Sequence, residues 1–229
     1  MRKVAISQSN YIPWKGYFDL INLVDDFVIL DSVQYTRRDW RNRNKIKTSN
    51  SIIWLTVPVK VKGKYLQKIC DVKINGNDWV FDHWKSIELS YKKSKYFDEI
   101  SMWLKPLYFE NEYIFLSDLN KKFIIAILSY LGIQTNIMSS SEFKEVSKKD
   151  ERILHILKEL NATDYISGPA AKSYIDEEIF HSQNINIKWM NYNNYPSYQQ
   201  LWGDFVHEVS IIDLLFNCGK SSLLHLKGY

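Results

Sequence analysis

The sequence predicts an α/β protein with three layers, helices covering both faces of a parallel sheet. Three observations predict it. Apolar runs of strand length alternate with helix-like patterns along most of the chain. The opening stretch SQSNYIPWKGYFDLINLVDDFVILDSVQY, Ser7–Tyr35, already has the order turn, helix, strand behind a first short strand. No internal repeat, low-complexity run or long linker interrupts the alternation.

Each element has its own reason. Lys3–Ser7 is short and β-prone. Pro13 and Gly16 mark a turn, and the segment Gly16–Asp25 then spaces Phe18, Ile21 and Leu23–Val24 at helical intervals. Phe27–Leu30 is continuously apolar, as expected of a parallel strand buried on both faces. A strand, a helix and a strand in this order imply a right-handed crossover. Gln34–Thr48 breaks the pattern: QYTRRDWRNRNKIKT interleaves Arg37, Arg38, Arg41, Arg43, Lys45 and Lys47 with Tyr35 and Trp40. Ser51–Val61 reads as a strand, Lys62-Gly63-Lys64 as a turn, Gln67–Ile74 as β-like and Asn75-Gly76 as a turn.

The chain is therefore expected to be a single α/β domain over 1–229 with a small β/helical insertion, residues 50–110 being the candidate inserted lobe. Trp79–Leu89 and Tyr96–Tyr108 read as helices. Phe115–Leu131 is the clearest helix, with Asp118 the expected N-cap and Gly132 closing it. Gln134–Met138 reads as a strand and Asp150–Leu160 (DERILHILKEL) as an amphipathic helix. Asp164–Ser167 is a strand ending in Gly168-Pro169, and Ile185–Met190 is another. Val209–Phe216 is a short helix before Gly219. The sum is a Rossmann-like parallel sheet.

Bulk properties narrow the function. With 229 residues and 45% hydrophobic content the chain can bury a sizeable core. Its 8 Trp and 15 Tyr serve equally to fill that core or to stack on bases and sugars. A net charge of +4 suits a small anionic ligand and is too mild to argue for nucleic acid by itself. Cys70 and Cys218 form neither a metal spacing nor a disulfide framework, which points to a reducing compartment. No segment nears the roughly 20 apolar residues of a membrane span, and MRKVAISQSN lacks a signal peptide's core. The expectation is a cytoplasmic protein with no membrane insertion and no metal.

Three constellations can carry chemistry. At Gln8–Tyr17, polar Gln8, Ser9 and Asn10 stand beside Tyr11 and Trp14, before a helix whose first backbone N–H groups can face an anion. Gly16 would permit close approach and Lys15 would add charge; an ordinary βα turn is the bland alternative. The second is Asp31–Lys47. Asp31 follows the second strand, Arg41-Asn42-Arg43-Asn44 can grip a diphosphate, and Trp40 or Tyr35 can stack a base. A solvated basic loop, or a single-stranded nucleic-acid surface, remains open. The third is YISGPAAKSYID, Tyr165–Asp176, where Ser167 and Gly168 can bond an anion and Lys172 can reach it; a Pro-initiated helix explains the same residues. Among the five scattered histidines, His155 belongs to an amphipathic helix, whereas His207 precedes Glu208 in a pair able to act as acid and base. No phosphate-loop or nucleophile-elbow motif occurs.

The turn Trp14-Lys15-Gly16-Tyr17 resembles, in spacing, the HxGH turn of the nucleotidylyltransferase superfamily. Trp14 and Tyr17 stand where its two histidines would stabilise reacting phosphates, and neither can carry a positive charge. That resemblance implies a nucleotidylyltransferase-like variant of the Rossmann-like fold, with the cradle kept and the phosphoryl-transfer residues gone. Read together, QSNYIPWKGYFDLINLVDDFVILDSVQYTRRDWRNRNKI, LSDLNKKFIIAILSYLGI, YISGPAAKSYID and SIIDLLFNCG are similar to the WbqC-like family of bacterial proteins. The matching motif positions are Gln8, Tyr11, Pro13, Gly16, Tyr17, Asp31, Gln34, Arg43, Asn44, Ser167, Gly168, Pro169, Tyr174, Asp213 and Gly219. Ser9 departs from an expected proline and Ser32 from a second aspartate.

The resemblance implies a role in O-antigen and lipopolysaccharide biosynthesis, attaching an amino acid, glycine in particular, to an amino sugar. The expected partner is a nucleotide-linked amino sugar, and the expected donor is ATP-activated glycine or a charged tRNA such as glycyl-tRNA. The base would stack on Trp14 or Tyr11, and the diphosphate would sit on the Gly16 helix start and the Arg41/Arg43 cluster. Asp31 would be the general base, with Lys172 and the Ser167-Gly168 backbone stabilising the oxyanion. A nucleotidyl- or adenylyl-transferring enzyme and a non-catalytic binder of nucleotide sugar or RNA stand as alternatives.

Overall fold

Alternation within the strands decides the layers. Ala5, Phe27 and Ile29 point into one apolar cluster, while Val4, Ile6, Val28 and Leu30 point into a second on the opposite face. A strand with apolar residues on both faces must be covered on both, and helices do so here. In the computed structural model, which describes residues 1–144, 146 and 149–228, the elements follow in order. They are β1 (Lys3–Ser7), α1 (Lys15–Asn22), β2 (Asp26–Ile29), β3 (Arg43–Lys47), β4 (Ile52–Thr56), α2 (Asp78–Tyr91) and α3 (Phe97–Phe109). Then come α4 (Leu116–Leu131), β5 (Asn136–Ser139), α5 (Lys149–Glu159), β6 (Asp164–Ser167), α6 (Glu177–Ser182), β7 (Asn186–Trp189) and α7 (Ile211–Cys218).

Five strands form one parallel sheet in the order β5-β2-β1-β6-β7. The chain begins at the centre, winds outward through β2 to β5, returns beside β1 and winds the other way through β6 to β7. This is the three-layer, Rossmann-like α/β arrangement. Its direction reverses between β1 and β6, and a doubly wound sheet opens a crevice beyond the carboxyl ends of the strands at that point. α1, α4 and α7 pack on one face together with α2 and α3; α5 and α6 cover the other.

Some elements differ from the sequence reading. The basic stretch is not all loop: Arg43–Lys47 is a strand, paired antiparallel with a β4 shorter than expected. Alternation again explains it, because Ile46 and Leu55 reach the core while Lys45 and Trp54 face outward as cross-strand neighbours. The β-like Gln67–Ile74 contains a short 3₁₀ turn, Ile69–Asp71, flanked by isolated bridges from Lys68 and Ile74. Asp118 does not cap α4. Phe115 precedes the helix, and Asp118 lies in the first turn, where a negative charge suits the helix dipole. Gly132 ends α4 in the left-handed conformation, φ 75°, its N–H closing onto Leu128 and Ser129.

Candidate functional site

The turn after β1 is a network of satisfied polar groups. Asp31, just beyond β2, is 3% exposed and accepts from the Ser9 N–H at 2.8 Å, from Ser9 Oγ at 2.7 Å and from Ser117 Oγ of α4. Asn120 donates to Ser9 Oγ at 3.0 Å and to the Arg41 carbonyl at 2.9 Å. The Arg41 guanidinium donates to Gln8 Oε1 at 3.2 Å, to the Ser9 carbonyl at 3.3 Å and to Asn10 Oδ1. Asn44, from β3, donates to the carbonyls of Tyr11 at 3.1 Å and Ile12 at 2.9 Å. Ser210 also donates to the Ile12 carbonyl, at 2.6 Å. These bonds hold Ile12 at φ 35°, where a β-branched residue is strained. The bend aims Asn10, Pro13 and Trp14 at one hollow.

That hollow has a volume of about 540 Å³ and lies at the carboxyl ends of β1 and β7. Trp14 forms one aromatic wall with Tyr192 and Tyr195, at ring-centroid distances of 5.2 and 5.7 Å. Trp40 forms another, and Asn10, Asn44, Asn193 and Asn194 supply amides. His207 and Glu208 complete the lining. The Tyr195 hydroxyl donates to buried Asp19, which also accepts from the Lys227 and Gly228 backbone at 3.0 and 2.7 Å. Lys15 is buried behind this wall. It donates to the Pro196 carbonyl at 2.7 Å among the rings of Tyr195, Tyr198 and Phe205, and burial pulls its pKa down to about 8. Partial burial and the Lys15 charge hold the His207 imidazole below its ordinary value, with Glu208 opposing them.

The structure brings the first two predicted constellations together through Arg41 and Asp31, but it redistributes their roles. Gly16 offers no open anion cradle: it is buried, and a Cβ there would meet two carbons of the Trp14 indole at 2.7 Å. The close approach that glycine allows is that of Trp14. Tyr11 is fully buried and bonds His83 Nδ1 at 2.8 Å and the Tyr108 hydroxyl at 2.6 Å, so it stacks no base. Tyr17 is likewise interior, donating to the Gln8 carbonyl at 3.1 Å and packing on Phe27 at 5.4 Å. Arg43 lies over Trp54 at 4.2 Å and donates to the Arg38 carbonyl. Gln34 is exposed and donates to the Tyr65 carbonyl at 3.0 Å, away from the hollow.

The third constellation touches the site only at its edge. Ser167 is buried, its carbonyl accepting from Met190 N at 2.8 Å. A Cβ at Gly168 would stand 3.5 Å from the Tyr192 hydroxyl. Lys172 is exposed and sits 5.6 Å from the Trp189 ring, and neither it nor Tyr174 lines the hollow. Sequence reasoning passed over Tyr192, Asn193, Asn194 and Tyr195. The signal was present: NYNNY comes just after the last strand, and open α/β sheets place their crevices beyond the carboxyl ends of strands.

Among the described residues, no group of three or more His, Cys, Asp or Glu is placed to hold a metal ion. Likewise, no helix is long and apolar enough to cross a membrane. Sheet order and hollow together describe a doubly wound α/β protein whose hollow lies beyond the carboxyl ends of β1 and β7, beside the switch point of the sheet. The chain belongs to the WbqC-like protein family, whose model matches residues 8–225. It is similar to the uncharacterized protein Rv1507c of Mycobacterium tuberculosis (strain ATCC 25618 / H37Rv), at 49% identity over 227 residues, 99% of this chain and 98% of that protein. No solved structure matches it.

Proposed function

We propose that this protein transfers an aminoacyl group, glycyl being the first candidate, to the amine of a nucleotide-linked amino sugar used in bacterial surface polysaccharide. The observation that carries this reading is the lining of the hollow. Trp14 and Tyr192 offer ring faces for the C–H side of a pyranose, Asn193 and Asn194 offer amide donors and acceptors for hydroxyls, and the neighbouring His207 and Glu208 supply an imidazole and a carboxylate. An ammonium cannot attack a carbonyl, so the amine must reach the donor neutral. In the proposed step its nitrogen forms the new C–N bond and passes a proton to the His207 imidazole. The donor's C–O bond breaks, and the leaving oxygen keeps the electron pair.

His207 takes the role first expected of Asp31, because both Asp31 oxygens are occupied by Ser9 and Ser117 and do not line the hollow. Nucleotidyl transfer is the weaker reading: Trp14 is folded onto Gly16, Tyr17 is interior, and Lys15 is enclosed by rings.

The test is incubation with nucleotide-linked 4-amino sugars, supplied either with glycine and ATP or with glycyl-tRNA, read by mass spectrometry. A product heavier by one glycyl group is expected. Absence of acylated product across several amino sugars and both donors overturns the proposal.

A further inference from the structure

Beside the hollow, Trp40 and Trp54 form a pair of indoles with centroids 5.3 Å apart and planes tilted by 37°. They are 40% and 41% exposed, an unusual amount of uncovered ring for residues that normally bury most of their surface. Both stand on rigid supports. Trp54 lies in β4 opposite Lys45 of β3, and the Trp40 carbonyl accepts from the Tyr11 N–H at 3.0 Å, pinning it to the turn after β1. Lys45 Nζ lies 5.7 Å from the Trp40 ring and 5.3 Å from that of Trp54, and the Arg43 guanidinium covers Trp54 at 4.2 Å. Lys45 also reaches Glu208, at 3.8 Å, and Trp40 is itself part of the hollow's wall. The indole pair and its cations are therefore continuous with the place assigned to the sugar.

We propose that Trp40, Trp54 and Lys45 form the subsite for the nucleoside diphosphate half of the ligand. This inference rests on the sugar-transfer reading above. The base stacks on the exposed indoles, Lys45 faces the phosphates, and the sugar continues past Trp40 onto Trp14 and Tyr192. Stacking tolerates any base, whereas a cation beside the rings favours a phosphorylated one. A neutral sugar alone would need the rings but not Lys45. A long nucleic acid would need its charge to continue, yet Lys45 is paired to Glu208 on the side of the hollow.

Binding of UDP, dTDP, GDP and ADP to the whole protein, followed by titration calorimetry without donor or sugar, tests the subsite. At least one should bind, and Trp54→Ala should weaken it by about fivefold or more. Trp54→Phe should restore part of the loss. Lys45→Ala should weaken the nucleoside diphosphates more than the parent nucleosides, while Trp54→Ala should weaken both alike. Trp54 lies in a surface hairpin, so an unchanged circular dichroism spectrum and melting temperature confirm that the variants fold.

No binding by any of the four, or equal binding by wild type and Trp54→Ala, overturns the subsite. Tighter binding of a CCA-ended RNA oligonucleotide than of every nucleoside diphosphate, lost in Trp54→Ala, overturns it in favour of a tRNA end. Because no acyl donor is present, failure here leaves amino-sugar acylation standing. Nucleotide binding without acylated product in the mass assay removes the transfer reading alone.

Discussion

In the proposed reaction, Asp31 and His207 divide positioning from chemistry. Asp31 accepts hydrogen bonds from the Ser9 backbone, Ser9 Oγ and Ser117 Oγ, all drawn from segments far apart in sequence. Asp31→Ala leaves buried donors unpaired and should cost on the order of 3 kcal/mol of stability, read by urea denaturation. A loss of activity with stability intact would instead make Asp31 chemical. His207 has the opposite profile, exposed and lining the hollow. His207→Ala should lower kcat/KM by about 100-fold or more with little change in melting temperature. A base acts in its neutral form, so activity rises with pH through the imidazole pKa. Burial and Lys15 place that pKa below 6.5, and the acid limb of kcat/KM should fall there and vanish in His207→Ala. At this scale the sequence showed which residues are polar but not which are already engaged. Arg41 reads as a phosphate fork until Gln8, Ser9 and Asn10 are seen to occupy it.

Among elements, the decisive contact is between α1 and the turn that leads into it. Trp14 closes back over Gly16, and its indole meets Tyr192 and Tyr195 from the segment after β7. Gly16→Ala must push the indole away. It should cost about 1–3 kcal/mol in stability, and it should weaken nucleotide-sugar binding further than that loss alone predicts, measured by calorimetry beside thermal melting. The elements themselves were largely legible, because Asp164–Ser167, α1, α4 and α7 announce themselves by periodicity and by Gly or Pro at their ends. β3 was obscured by its four charged or amide side chains, Arg43, Asn44, Lys45 and Lys47. A strand whose only apolar core residue is Ile46 reads as a basic loop.

For the molecule as a whole, acid should act through a buried histidine first. His83 lies against Tyr11, Trp79 and Tyr108, and burial lowers its pKa to about 4. Between pH 6.5 and 4 the unfolded chain binds a proton there that the folded chain refuses. The stability of keeping His83 neutral is thus complete above 6.5 and is lost as pH falls toward 4, by on the order of 3 kcal/mol. Urea titrations at pH 7 and pH 4 should show the loss, and His83→Gln should flatten it. Asp26 beside Arg2 and Asp164 beside Lys188 have lowered pKa values and extend the decline at still lower pH.

By itself the sequence determined the layers, the parallel sheet and the membership in a family, since periodic apolar burial is a local pattern that no distant contact needs to complete. Only the tertiary structure decided which polar groups face the hollow and which are buried in hydrogen bonds. Tyr11, Tyr17 and Asp31 went inside while Trp14, Tyr192, His207 and Glu208 met around one hollow, because hydrogen-bond satisfaction depends on partners as far apart in sequence as Lys15 and Pro196.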